Sequence, residues 1–132
     1  MEVIREPDQT ATAIRNYLWN NDELLKGDYK QYLNHPLAGH CYLASESYLC
    51  LVDDPEAWTP HQLVVEWDSG DIHHDLSHWY LVNHERDLIV DLTADQFDMT
   101  PTAPSYGGGI GRGFVPPSPS SRAEKVVSAI ND

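Results

Sequence analysis

The sequence predicts a single α+β domain, and three observations predict it. Its 132 residues suit one core of ordinary size. Apolar residues recur with helical spacing over 10–25 and fill a second, buried-looking run over 41–52. Three short segments rich in β-branched and aromatic residues then follow between 61 and 93. A small antiparallel sheet packed on the second helix is the economical way to bury them all.

From Thr10 to Leu25, Ala11, Ile14, Leu18 and Leu25 form an amphipathic stripe, with Thr10 or Thr12 as the expected cap. Residues 26–40 hold Gly27, Asn34, Pro36 and Gly39, breakers that predict a loop delivering the chain to Cys41. The run CYLASESYLCLV predicts a buried helix with Cys41 in its first turn, stopped by Asp53-Asp54-Pro55. HQLVVEW (61–67), SHWYLVN (77–83) and LIVDLT (88–93) are the expected strands, and His84-Glu85-Arg86-Asp87 is a hairpin-length connection between the last two. Residues 100–119, with five glycines and five prolines within the stretch Pro101 to Ser121, predict a loop. A final helix over 120–131, capped by Ser120 or Ser121, shows Ala123, Val126, Val127 and Ile130 on one face. No internal repeat divides the domain, which spans 1–132.

Composition excludes several classes of function. Aspartate and glutamate number 21 against 8 lysines and arginines, a formal charge of -13. Such a field repels nucleic acid, and no basic patch offsets it. The same balance fits a protein from a salt-saturated cytoplasm, or an ordinary acidic protein kept soluble by its charge. The residues from Met1 to Thr10 lack the basic-then-apolar pattern of a leader, and no run of about 18 apolar residues suggests a membrane span. Cytoplasmic placement is the expectation. Cys41 and Cys50, nine residues apart on one expected helix, lie about 13 Å apart by helical rise, too far for a disulfide. Both read as free thiols in a reducing compartment.

The chemistry lies in an order of residue types: a cysteine opening a helix, a histidine on one strand and an aspartate on the next. A helix start favours the thiolate at Cys41. An imidazole, His78, holds the ion pair and moves protons, and a carboxylate, Asp91, orients it. A hairpin closed at 84–87 makes His78 and Asp91 neighbours, to within one bulge or a two-residue register offset. Taken alone, Cys41 reads as a small buried hydrophobe, His78 as a satisfied sheet histidine and Asp91 as a turn cap through Thr93. Cys50 is assigned to the core.

The stretches GHCYLASESYL, SHWYLV, LIVDLTADQF, YGGGIGRGF and PSSRAEKV together resemble a group of small proteins associated with phages, archaea and their viruses. Those in turn look like reduced members of the papain-like and transglutaminase-like cysteine superfamily. The resemblance spans roughly residues 37–126, and the superfamily's Cys, His and Asp fall on Cys41, His78 and Asp91. It implies a nucleophile-bearing helix against an antiparallel sheet and a type of site, with no settled substrate; the expectation is a protein or peptide substrate and no cofactor. Two departures stand out. Papain-like peptidases carry a glutamine a few residues before the cysteine, whereas Gln31 lies ten back. The Cys41 amide with Asn34 or His40 is the alternative oxyanion site. Tyr42 only loosely matches the aromatic that follows the cysteine in many transglutaminase-like sites.

His74 and His78 have the i, i+4 spacing that binds zinc on a helix, but Gly70 and Asp71 predict a loop there, and no metal is expected. GGGIGRG lacks the Lys-Ser/Thr ending of a phosphate loop; it reads instead either as a loop bordering the site, with Tyr106 and Arg112 toward substrate, or equally as a structural wrap over the sheet. Trp79 is a candidate pocket wall. The sequence therefore predicts a cysteine hydrolase or acyltransferase acting on amide or isopeptide bonds, with a non-catalytic protein-binding module of the same fold as its rival.

Overall fold

The computed structural model describes residues 2–21, 40–69, 72–97, 105–114 and 118–131, and the side chains within them except those of 65–69 and 72–76. The expected loop at 26–39, with Asn34, therefore falls outside the described residues. Among the described residues the fold is α+β: three α-helices pack on one face of a five-stranded mixed sheet. No helix there is long and apolar enough to cross a membrane.

Helix α1 (Gln9–Trp19) buries Ala11, Ile14 and Leu18 as its spacing requires. Its cap is Asp8, two residues before Thr10 and four before Thr12, because the Asp8 carboxylate accepts from the Ala11 amide at 2.9 Å. The other Asp8 oxygen accepts from the Tyr48 hydroxyl at 2.8 Å, tying α1 to α2 (Cys41–Leu51). Burial, followed by that hydrogen bond, raises the Tyr48 pKa, so the phenol stays a donor at ordinary pH. Cys50, expected in the core, is exposed instead, because the buried run of α2 ends at Tyr48.

Strands β2 (Trp58–Ser69) and β3 (Ile72–Asn83) form a long antiparallel hairpin. Residues 72–76 therefore extend a strand rather than a loop: pairing with β2 satisfies their backbone, which overrides the local breakers Gly70 and Asp71. On a strand, positions 74 and 78 are about 13 Å apart along the backbone, so the helical logic of the zinc spacing does not apply. Strand β4 (Leu88–Val90) pairs antiparallel with β3 through a turn in which Asn83 Oδ1 accepts from the Glu85 and Arg86 amides and Asp87 takes a φ of 55°. Two strands were not foreseen. Strand β1 (Glu2–Ile4) runs parallel to β4 at one edge, and β5 (Ile110–Gly111) adds to β2 at the other, giving the order β1-β4-β3-β2-β5. The 100–119 stretch is thus irregular only in part.

Alternation divides the interior in two. Leu81 and Val90 join Ile14, Leu18, Leu43, Ala44, Ala123 and Val126 beneath the helices. Leu63, Tyr80, Val82, Ile89 and Phe97 form a second cluster on the opposite face, with Tyr106 against it. The last helix, α3 (Ser121–Asn131), starts where Ser120 Oγ accepts from the Ala123 amide. Glu46, buried on α2, fastens that start: its carboxylate accepts from Ser118 Oγ (2.7 Å), Ser120 Oγ (2.6 Å) and the Ser120 amide (3.1 Å). Glu46→Ala leaves three donors without their acceptor and is expected to cost about 3 kcal/mol by urea denaturation, and Glu46→Gln less. Equal stability of all three proteins would contradict this role.

Candidate active site

Helix α2 begins at Cys41 itself, since the first bond of the helix runs from the Ala44 amide to the His40 carbonyl at 2.8 Å. The Cys41 amide is one of the helix-start N–H groups with no acceptor inside the helix. Strand β4 pairs with β3 only at Leu81–Asn83, so among the described residues no strand covers that edge of β3 between Ser77 and Tyr80. There the Cys41 thiol reaches the Ser77 carbonyl at 3.7 Å. The early end of β4 is what lets the helix start meet the histidine strand.

His78 is fully enclosed, 2% exposed, and its Nε2 lies 2.6 Å from Asp91 Oδ2. Asp91 comes one residue after β4, and the observed register makes the pair a diagonal one, offset by two residues. With Nε2 committed to Asp91, Nδ1 is the nitrogen left for the thiol. Burial works to lower the His78 pKa, but the charge and hydrogen bond of Asp91, with smaller effects of both kinds from Cys41, outweigh it and raise it from 6.5 to about 10. The imidazolium form is therefore the stable one near neutrality.

Asp91 is anchored through both its carboxylate and its amide. Its Oδ1 accepts from the Thr93 amide (3.2 Å), so the turn-capping role and the histidine-orienting role coexist. Oδ2 is shared by His78 and by the Tyr106 hydroxyl (2.7 Å), and the Asp91 amide donates to the Ile4 carbonyl (3.0 Å). Phe97, on a 3-10 turn (Ala94–Phe97), sets its ring edge-on to His78 at 4.8 Å between centroids. Arg15 donates to Asp95 on the same turn at 2.7 Å, which pins the turn to α1.

The remaining candidates separate. Tyr106 turns onto Asp91 rather than toward solvent, because its carbonyl also accepts from the buried Tyr80 hydroxyl at 2.8 Å. Burial and then the Asp91 charge raise its pKa, which keeps it a donor. Trp79 packs on the helix side between Tyr42 (4.9 Å) and Phe114 (5.7 Å), as core more than pocket wall. His40 is buried at the helix start, 1% exposed. Arg112 is exposed and donates to Gln62 Oε1 at 2.7 Å, while Gln62 Nε2 donates to Ser77 Oγ at 3.0 Å. Gln62 was missed, since in HQLVVEW it reads as plain alternation; Tyr106 as a partner of Asp91 had one signal, the glycines that follow it. Among the described residues no three histidine, cysteine or acidic side chains form a metal cluster.

Comparison with known protein families, curated proteins and solved structures finds no match to this chain.

Proposed function

We propose that the protein is a cysteine-dependent hydrolase or acyltransferase acting on amide or isopeptide bonds, of the papain-like or transglutaminase-like type. The observation that carries this reading is His78, enclosed between the Cys41 thiol and Asp91 with its protonated form favoured. In the reaction, the Cys41 thiolate attacks the carbonyl carbon and forms a C–S bond, while charge moves to the carbonyl oxygen near the Cys41 amide. Collapse breaks the C–N bond, and the amine leaves with the proton from His78. Water then attacks the thioester, giving a carboxylic acid, or an amine attacks it, giving a new amide; His78 takes the nucleophile's proton and the C–S bond breaks to return the thiolate beside the imidazolium. No cofactor enters these steps.

The test compares alkylation of two thiols by iodoacetamide, followed by mass spectrometry of the folded protein. Access alone favours Cys50, which is exposed, over Cys41, which is 8% exposed. Thiolate supply disfavours Cys50, whose pKa is raised by burial and then by Glu46 and Glu124. Near neutral pH, Cys41 is expected to react at least about tenfold faster than Cys50 and to lose that advantage in His78→Ala. The burial of Cys41 favours a second reading, a protein-binding module without catalysis. A Cys41 that is inert, or no faster than Cys50, would support that module instead.

A further inference from the structure

We infer that the groove along β2 and β5 binds an extended peptide of the substrate carrying an apolar residue and an aspartate or glutamate two positions apart, with Arg112 receiving the carboxylate. This rests on the acyl-transfer reading only in taking the bound peptide to be a substrate. The groove encloses about 680 Å³ and is lined by Gln62, Leu63, Val64, Ile110, Arg112 and two glycines. Val64 and Ile110 are 62% and 71% exposed, among the most exposed large apolar side chains described. Strand β5 ends the sheet order and pairs with β2 alone among the described residues, so its outer edge is open to another strand.

The charge of the occupant follows from Arg112. In a chain of net charge -13, Arg5 and Arg15 each pair with carboxylates, but Arg112 rests on a neutral amide, and among the described side chains no carboxylate lies within ion-pair distance of it. Its guanidinium thus keeps donors for an incoming carboxylate. Ile110 and Arg112 are two residues apart on an extended segment that continues through the Arg112 amide to the Pro60 carbonyl at 2.8 Å. They therefore show the same side to a neighbouring strand, which sets a two-residue spacing between the apolar and the acidic residue, the order following the direction in which the peptide runs. A chain of hydrogen bonds links the groove to the nucleophile: Arg112 holds Gln62, Gln62 holds Ser77, and the Ser77 carbonyl accepts from Cys41.

The experiment measures fluorescence anisotropy of labelled, end-blocked hexapeptides on the Cys41→Ala protein, in whichever order, Ala-Val-Ser-Glu-Ser-Ala or Ala-Glu-Ser-Val-Ser-Ala, binds more tightly, together with the Gln and Lys analogues at the Glu position. The Glu peptide is expected to bind about fivefold more tightly than the Gln peptide, with the Lys peptide weakest. Arg112→Lys keeps that order, and Arg112→Glu reverses it. Equal binding of the three peptides, no binding of any, or an order indifferent to Arg112→Glu would overturn the inference. Turnover of the peptides by the unmodified protein separates the two readings. Preference without turnover overturns the acyl-transfer chemistry, and turnover without preference overturns the groove.

Discussion

Asp91→Ala is expected to destabilise the protein by about 3–5 kcal/mol near neutral pH and to abolish the kinetic advantage of Cys41 toward alkylation. Asp91 is 0% exposed, and its removal strands the buried His78 ring, the Tyr106 hydroxyl and the Thr93 amide at once. The pH dependence has a definite sign. The His78 pKa is raised from 6.5 to about 10, so the folded protein holds this proton more tightly than the unfolded chain does. That stabilisation is fully present below about pH 6.5 and is lost as pH rises through about 10. Urea denaturation across this window should therefore find the gap between the native protein and Asp91→Ala widest at the lower end and narrowing toward pH 10. A gap that grows with pH would mean that His78 is neutral in the fold.

Gly109→Ala is the second large effect. A Cβ at this position would collide with the Tyr80 hydroxyl and stand 2.8 Å from Cζ of the same ring, and Tyr80 is fully buried. The ring cannot yield, so the loop must, and the bond between Tyr80 and the Tyr106 carbonyl goes with it. Tyr106 then lifts from Asp91. We expect a loss of about 2 kcal/mol, an overpacking cost, and a several-fold fall in Cys41 alkylation. Gly107→Ala and Gly113→Ala supply the control, since nothing lies within 4 Å of a Cβ at either position. They should leave both readouts close to those of the native protein. If all three substitutions behave alike, the loop does not position Asp91.

The helices and the central hairpin were legible because their causes are local. Ala11, Ile14 and Leu18 recur at helical spacing, Ser120 sits where a cap belongs, and the Asn83–Asp87 turn follows two β-rich runs. The approach of His78 to Asp91 was legible too, since a turn of known length restricts register to a few choices. Helix α2 was legible as an element, and so was Cys41 as its first residue.

What the tertiary structure alone decided is which groups share an atom across long stretches of chain. The parallel pairing of Glu2–Ile4 with β4, the joint hold of His78 and Tyr106 on Asp91 Oδ2, and the fastening of Ser118 and Ser120 by Glu46 have no periodic signature. Nor does the Arg112–Gln62–Ser77 chain, which links residues far apart in sequence. The physical reason is common to all four. A local pattern records the period of a helix or strand, whereas a buried carboxylate or an open strand edge takes whatever donor the packed fold brings to it. By itself the sequence determined the α+β elements and nominated Cys41, His78 and Asp91; only the folded chain decided what anchors Asp91 and which hydrogen bonds link Arg112 to the thiol.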